Sequence, residues 1–271
     1  MDNKLAANKL AANKLAANKL AANKLAANKL AANKLQLDQV GANELLATPE
    51  GREVLGFVIS CAIEPGQILV AEFEGETFEF AGEVGLANHW LTSPVDDAGA
   101  GWVSACLFAR VNAANVAIPI SLRGNSPILA TDADERAGWS LQEGAFYGNF
   151  FTDDGEAIDW NACRGEDQAA GETGGLMERD CAEPCTPGDV LDGGDPMVSG
   201  DETICEAGQT QCGFHFAGDC GDFAAEHACK LFDDNGSFYK KCAADPIFGH
   251  GLNKKLKDEA YRQVISVYLQ P

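Results

Sequence analysis

The sequence predicts an α+β fold, rich in disulfide bonds, in which two or three helices pack among short antiparallel strands. Three observations predict it: helical and strand-like spacings alternate after residue 48, the chain holds ten cysteines, and a five-residue repeat precedes both. The 271 residues suffice for one large domain or two small ones. We expect residues 1–47 to form the repeat, 48–162 an α+β core, and 163–271 a Cys-rich acidic segment with a closing strand, packed with the core as one domain.

The N-terminal segment repeats the pentad Asn-Lys-Leu-Ala-Ala from residue 3 to residue 47, with decay toward its end. Ala, Lys and Leu favour a helix. Successive Leu residues of a helix, such as Leu5, Leu10 and Leu15, would however step by about 140° around its axis. No apolar stripe would then form, so we expect such a helix to remain isolated rather than dock on a core.

The period of five resembles that of the pentapeptide-repeat proteins, in which each pentad forms one side of a short right-handed quadrilateral β-helix. The resemblance covers residues 3–47 and implies that Leu and Asn point inward while Lys and Ala point outward. Because the same side returns every four pentads, Asn3, Asn23 and Asn43 would stack along the axis. An isolated α-helix and a disordered low-complexity tail are the alternatives.

The helix that follows the repeat has a clear start signal. Thr48 is a good N-cap, Pro49 fits the first helical position, and Glu50 places an acid in the first turn. We expect the helix to reach about Ala62, before Glu64-Pro65-Gly66 ends it. The residues that would face the core are Val54, Leu55, Val58 and Ile59.

A hairpin and a second helix complete the first half of the core. Gln67–Phe73 and Thr77–Phe80 read as strands joined by Glu74-Gly75-Glu76. Gly101–Asn112 has helical spacing. Further strands are predicted at Val116–Leu122, where Pro119 favours an edge or a bulge, at Ala145–Phe151, and as a closing strand at Val264–Leu269. In the Cys-rich segment only Phe223–Phe232 is predicted to be regular, as a short helix.

The charge of the chain is concentrated in one segment. Residues 131–235 hold four basic and 25 acidic residues, which equals the net charge of −21. An acidic balance argues against a nucleic-acid partner, because phosphates require Lys and Arg. No apolar run approaches the roughly 18 residues of a membrane span, so no transmembrane segment is expected.

The ten cysteines predict five disulfides and no free thiol. A zinc site is not favoured, because no Cys-x-x-Cys pair is present and the four His are scattered. We expect Cys61 to pair with Cys106 between the two helices, and Cys229 to pair with Cys242, which would close the short helix onto the following loop. Disulfides indicate an extracellular or cell-envelope protein, although no signal peptide is visible in this chain.

Two groups of residues are candidates for chemistry. A cluster of hard carboxylate oxygens follows a predicted strand and is a candidate calcium site, with a plain acidic turn as the alternative: Asp153, Asp154, Glu156 and Asp159. Beyond that calcium no cofactor is expected, and no catalytic residue is assigned. His89 lies near Asp96 and Asp97, a pairing that suits a general base, but no nucleophile has a recognisable setting.

Four runs of the chain carry a resemblance to a known family: Gly101–Asn112, Ile118–Gly124, Glu143–Asn149 and Cys163-Arg164-Gly165. Together they resemble the uncharacterised bacterial ADYC-domain proteins, over about residues 48–271. The resemblance implies a Cys-rich protein of the envelope or the exterior, and it carries no catalytic residue to transfer.

These observations favour a secreted or cell-surface structural or binding module whose ligand is unknown, with the repeat as a stalk or assembly surface. Its partner would be a protein or a cell-surface component, and self-association through the repeat is a further expectation. A secreted hydrolase with an unrecognised site and a calcium-dependent binding protein are the alternatives.

Overall fold

A six-stranded sheet gathers strands from almost the whole length of the chain. The computed structural model describes residues 9–12, 17–112, 118–152, 159–166, 181–188, 205–221, 228–243 and 260–271. Its strands are β1 Lys9–Ala12, β2 Ile68–Phe73, β3 Glu76–Ala81, β4 Ile118–Gly124, β5 Leu141–Asn149, β6 Asp159–Arg164, β7 His215–Asp219, β8 Cys229–Asp233, β9 Phe238–Cys242 and β10 Ile265–Leu269. The sheet order is β1-β4-β10-β5-β6-β7, antiparallel except for β6 with β7, while β2–β3 and β8–β9 are separate hairpins. The expected α+β class is confirmed.

The described residues contain five α-helices, more than the two or three that the sequence predicts. They are α1 Ala17–Ala31, α2 Val40–Leu46, α3 Pro49–Ala62, α4 Asp97–Ala109 and α5 Ala133–Gly138. The two predicted helices are α3 and α4. Of the three additional helices, α2 and α5 are too short to show a clear periodicity, and α1 belongs to the repeat. Within the described residues, no helix is long and apolar enough to cross a lipid bilayer.

Helix α3 forms as its start signal predicts. The Thr48 side chain accepts a hydrogen bond from the backbone N–H of Gly51 at 3.0 Å, which satisfies one of the unpaired donors of the first turn. All four residues predicted to face the core are fully buried: Val54, Leu55, Val58 and Ile59.

Helix α4 is the centre of the main hydrophobic core. It contacts α3 on one side and the strands β5 and β10 on another. It begins four residues before the predicted Gly101, because Asp96 caps it by accepting from the N–H of Gly99 at 2.7 Å. Its residues from Val103 to Ala109 are all buried, so the helix has little exposed face from that point on.

The hairpin β8–β9 covers part of the sheet beside β4 and β10. The predicted helix Phe223–Phe232 is wrong from Cys229 onward, where the chain forms β8; residues 222–227 lie outside the described ones. The reason is the turn after β8, in which Asp233 accepts from the N–H of Gly236. This turn pairs the two strands, and the Phe232 and Tyr239 rings then lie 4.9 Å apart.

Five disulfides join all ten cysteines, as predicted. The predicted bridge Cys61–Cys106 links α3 to α4. Cys229–Cys242 is also confirmed, although it joins directly opposed residues of a hairpin instead of closing a helix. The three bridges that the sequence does not specify are Cys163–Cys220, Cys181–Cys212 and Cys185–Cys205.

The described part of the repeat takes two conformations. Lys9–Ala12 form β1, which pairs antiparallel with β4, and Ala17–Ala31 form α1. Over α1 the structure therefore has the helix that the sequence left as an alternative to the quadrilateral β-helix. Asn23 lies in α1 and Asn43 lies in α2, so the described residues do not form the coil in which these two Asn would stack. Residues 1–8 and 13–16 lie outside the described ones.

Helix α1 docks on α2 and α3, and the expectation that it would remain isolated is wrong. Leu20, Ala27 and Leu30 are fully buried, whereas Leu25 is 50% exposed. Successive Leu residues do diverge by about 140°, but every second Leu returns to within about 80° of the same direction. Two Leu residues and an intervening Ala are enough to form a docking face.

We expect thiol titration in denaturant to find no free thiol before reduction and ten after it. Replacing the bridge between α3 and α4 in a Cys61→Ala/Cys106→Ala variant should lower the free energy of unfolding by about 4 kcal/mol, because the closed loop is long. Mass spectrometry of the unreduced digest checks the five pairings. Two or more reactive thiols in the unreduced chain would contradict them.

The docking of α1 predicts that the same Leu→Ala substitution in two identical pentads changes the free energy of unfolding by different amounts. Leu30→Ala should lower the free energy of unfolding by about 2–5 kcal/mol, because the side chain is fully buried. Leu25→Ala, the matched control, should change it by less than about 0.5 kcal/mol. Urea unfolding followed by circular dichroism measures both, and equal losses would rule out the docked helix.

Candidate functional site

The predicted hairpin β2–β3 forms, but its loop is one residue shorter than the predicted Glu74-Gly75-Glu76, because Glu76 belongs to β3. Phe73 pairs with Glu76, so the loop consists of Glu74 and Gly75, whose φ angles are +51° and +85°. Two positive φ values are typical of a type I′ turn, which suits the twist of an antiparallel hairpin. The hairpin packs on α3 through β3, where Phe80 is buried.

The outer edge of β2 is open. The carbonyl of Gln67 accepts from the N–H of Gly82 at 2.9 Å just before the hairpin. Because hydrogen-bonded pairs alternate along an antiparallel ladder, the backbone groups of Ile68, Val70 and Glu72 point away from β3. Among the residues that the structure describes, no strand pairs with this edge.

A groove runs along the open edge, with a volume of about 480 Å³. The β2 groove, as we name it, lies between residues 69–72 and the segment Leu35–Asp38 that follows α1. Leu37 and Ala71 are buried at its lining. The volume falls within the range of about 300–1,000 Å³ that is usual for binding sites.

The opposite wall of the groove is fixed by Trp90. Its backbone carbonyl accepts from the N–H of Leu35 at 2.8 Å, and its indole Nε1 donates to the carbonyl of Asn33 at 2.8 Å. Trp90 is itself fully buried and meets the Phe151 ring edge to face. One hydrogen bond to Leu35 in the wall and one to Asn33 just before it thus anchor this segment to a fully buried residue.

Apolar and acidic side chains surround the open edge. Ile68 is 57% exposed and Val70 is 56% exposed, although aliphatic residues of this size are usually buried. The hairpin also carries four Glu and no basic residue, and Asp38 lines the groove. Open edges of this kind are templates for strand pairing, and the charge favours a basic partner.

The predicted calcium cluster is described at only one of its residues. Asp159 lies on β6, where its carboxylate accepts hydrogen bonds from the Tyr261 hydroxyl and, at 2.8 Å, from the Asn161 side chain. Burial and the adjacent Asp159 together raise the pKa of Tyr261, so this hydroxyl stays protonated and donating. Asp153, Asp154 and Glu156 lie outside the described residues.

The structure does bring His89 to Asp96, with Nε2 and Oδ1 3.3 Å apart. The same Asp96 oxygen caps α4 through the N–H of Gly99. The nearest hydroxyls along the chain, those of Thr92 and Ser93, donate to the His89 carbonyl. The pair therefore ties a 3-10 turn to the start of α4, and no hydroxyl among these contacts is aligned for attack.

Cysteine sulfurs form the one other group with ligand character among the described residues. The Sγ atoms of Cys163, Cys220 and Cys229 lie within 4.8 Å of one another, and those of Cys163 and Cys229 are 3.3 Å apart. All three belong to disulfides, so none offers a thiolate to a metal ion.

Sequence reasoning finds the hairpin but misses the groove. The alternation of Ile68, Val70 and Glu72 on one face was the available signal, since it places apolar residues where a solvent-facing strand usually has polar ones. The other wall comes from a segment more than thirty residues earlier, which no local pattern connects to β2.

No family model, curated protein or solved structure matches the chain.

Proposed function

We propose that this protein is a secreted or cell-envelope binding module that captures an extended polypeptide by adding it as a strand to the open edge of β2. The observation that carries the proposal is the outer edge of β2, with which no strand among the described residues pairs, beside a groove of about 480 Å³. In this recognition mode main-chain hydrogen bonds supply affinity, and pockets for alternate side chains supply specificity.

The anchored walls of the groove and the chemistry of its lining support a binding role. One wall is a type I′ hairpin packed on α3, and the other is anchored to Trp90 by hydrogen bonds at Leu35 and at Asn33 just before it. Pre-organised walls reduce the conformational entropy that is lost when a ligand binds. The groove residues supply carboxylates, an amide and aliphatic groups, but no nucleophile with an adjacent base.

The disulfides support the proposed location outside the cell or in the cell envelope. Four of the five disulfides tie together the segment from Cys163 to Cys242, which holds little periodic apolar sequence, and disulfides persist in oxidising compartments. The resemblance to the ADYC-domain proteins points to the same location. In this proposal the repeat serves as a stalk or an assembly surface that presents the module.

A proline at the open edge tests strand addition directly. The N–H of Val70 points away from β3, so Val70→Pro removes a donor that only an added strand would use, and the hairpin keeps its own hydrogen bonds. Val70→Thr is the matched control, because it keeps the branched shape and the N–H. We expect both variants to melt within a few degrees of the wild type.

The probes are two labelled octapeptides, one with alternating Leu and Lys and one with alternating Leu and Glu. Fluorescence anisotropy should show that the full chain binds the Leu-Lys peptide at least tenfold more tightly than the Leu-Glu peptide. Val70→Pro should weaken that binding at least tenfold, and Val70→Thr less than threefold. Equal binding by the wild type and Val70→Pro would refute recognition through this edge.

A further inference from the structure

We infer that the polypeptide bound in the β2 groove is an Asn-Lys-Leu-Ala-Ala segment from the repeat of a second copy of this chain. The inference rests on the proposed function and names its partner. It is carried by three properties of the repeat: it already adds a strand to a sheet edge, its units are identical, and its charge is opposite to that of the hairpin.

Strand addition by this pentad is visible within one chain. Lys9–Ala12 pair antiparallel with β4, in a register that runs from Lys9 opposite Ser121 to Ala12 opposite Ile118. These four residues have no other strand neighbour in the described sheet. The unit Lys-Leu-Ala-Ala therefore meets the backbone requirements of an edge strand, although its composition also permits a helix.

The units of the repeat are interchangeable. The tetrapeptide Lys-Leu-Ala-Ala occurs six times between residues 4 and 32, and only one of the six forms β1. A site that accepts one unit cannot distinguish it from the others, because the side chains are the same. Three further units, residues 19–22, 24–27 and 29–32, lie in or at the end of the docked α1. The unit that we propose for the neighbouring copy is therefore residues 4–7, which precede β1 in the sequence.

The charges of the two surfaces are complementary. Residues 3–35 contain seven Lys and no acid, whereas residues 68–81 contain four Glu and no base. Within one chain the repeat already uses Lys in this way, since Lys19 lies 2.6 Å from Glu53 and Lys29 lies 2.7 Å from Glu44. At the groove, Asp38 and Glu72 are the corresponding acids.

The side-chain pattern of the pentad also fits the two faces of β2. In an extended Lys-Leu-Ala-Ala unit, Leu lies on one face and Lys on the other. Leu would then share the face of Leu69 and Ala71 and reach Leu37 at the groove lining. Lys would share the face of Val70 and Glu72, with its aliphatic stem over Val70 and its ammonium beside the carboxylate.

A contact between the repeat of one copy and the β2 groove of the next joins two different surfaces. Such head-to-tail contacts form open chains unless the rotation happens to close a ring. Assembly would therefore grow with protein concentration. It would weaken as salt rises, because the ion pairs that help to hold it are exposed.

Peptide binding and self-association together test the inference. The probe is a labelled 15-residue peptide of three Asn-Lys-Leu-Ala-Ala units, with Asn-Glu-Leu-Ala-Ala as the control sequence. We expect the full chain to bind the Lys peptide at least tenfold more tightly than the Glu peptide. Val70→Pro should reduce that binding at least tenfold, and Val70→Thr less than threefold.

In analytical ultracentrifugation, the sedimentation coefficient of the wild type and of Val70→Thr should increase with concentration. That of Val70→Pro should stay at the monomer value, and raising NaCl from 50 to 300 mM should shift the wild type toward monomer. A wild type that remains monomeric overturns the second copy as partner, whether or not the free peptide binds. Self-association that Val70→Pro leaves intact overturns the groove as its site.

Different experimental results would refute strand capture and capture of the repeat. If the alternating Leu-Lys octapeptide binds at the Val70 edge but the repeat peptide does not, the inference is wrong and strand capture stands. If neither peptide responds to Val70→Pro, both proposals are wrong.

Discussion

The structure depends on the burial of α4 between α3 and the central sheet. Nearly every residue of α4 after Trp102 is enclosed, so the strands and helices around it are positioned by the shape of this one helix. Cys61–Cys106 fixes the distance between α3 and α4 covalently. In turn, α3 packs against the β2–β3 hairpin. Because a two-stranded hairpin is only marginally stable alone, packing on the core sets the position of the open edge of β2.

Sequence reasoning succeeds where a local signal decides the structure. The cap at Thr48, the turn at Glu74-Gly75 and the cysteine count each act over a few residues or through covalent chemistry, and each is found in the structure. It fails where a tertiary contact decides. Residues 229–232 have a spacing that suits a helix, but pairing across the turn at Gly236 makes them a strand.

The repeat shows the same limit most clearly. Identical pentads form a strand at Lys9–Ala12 and a helix at Ala17–Ala31, so local propensity cannot be what selects between them. The tertiary neighbour selects the conformation instead. β4 offers an unpaired edge to Lys9–Ala12, and α2 and α3 offer an apolar surface to Ala17–Ala31. The groove cannot be predicted from the sequence for a related reason. Whether the edge of a strand stays unpaired depends on which distant segments of the chain pack beside it.

The two hydrogen bonds of Trp90 give the groove a built-in optical reporter. The indole is fully buried and its N–H is bonded to the carbonyl of Asn33, in the segment that leads into the groove wall. Indole emission shifts when this hydrogen bond or the surrounding polarity changes. A displacement of the wall would therefore reach Trp90, one of four Trp residues in the chain, through this bond, and the emission of Trp90 would register an event at the surface from within the core.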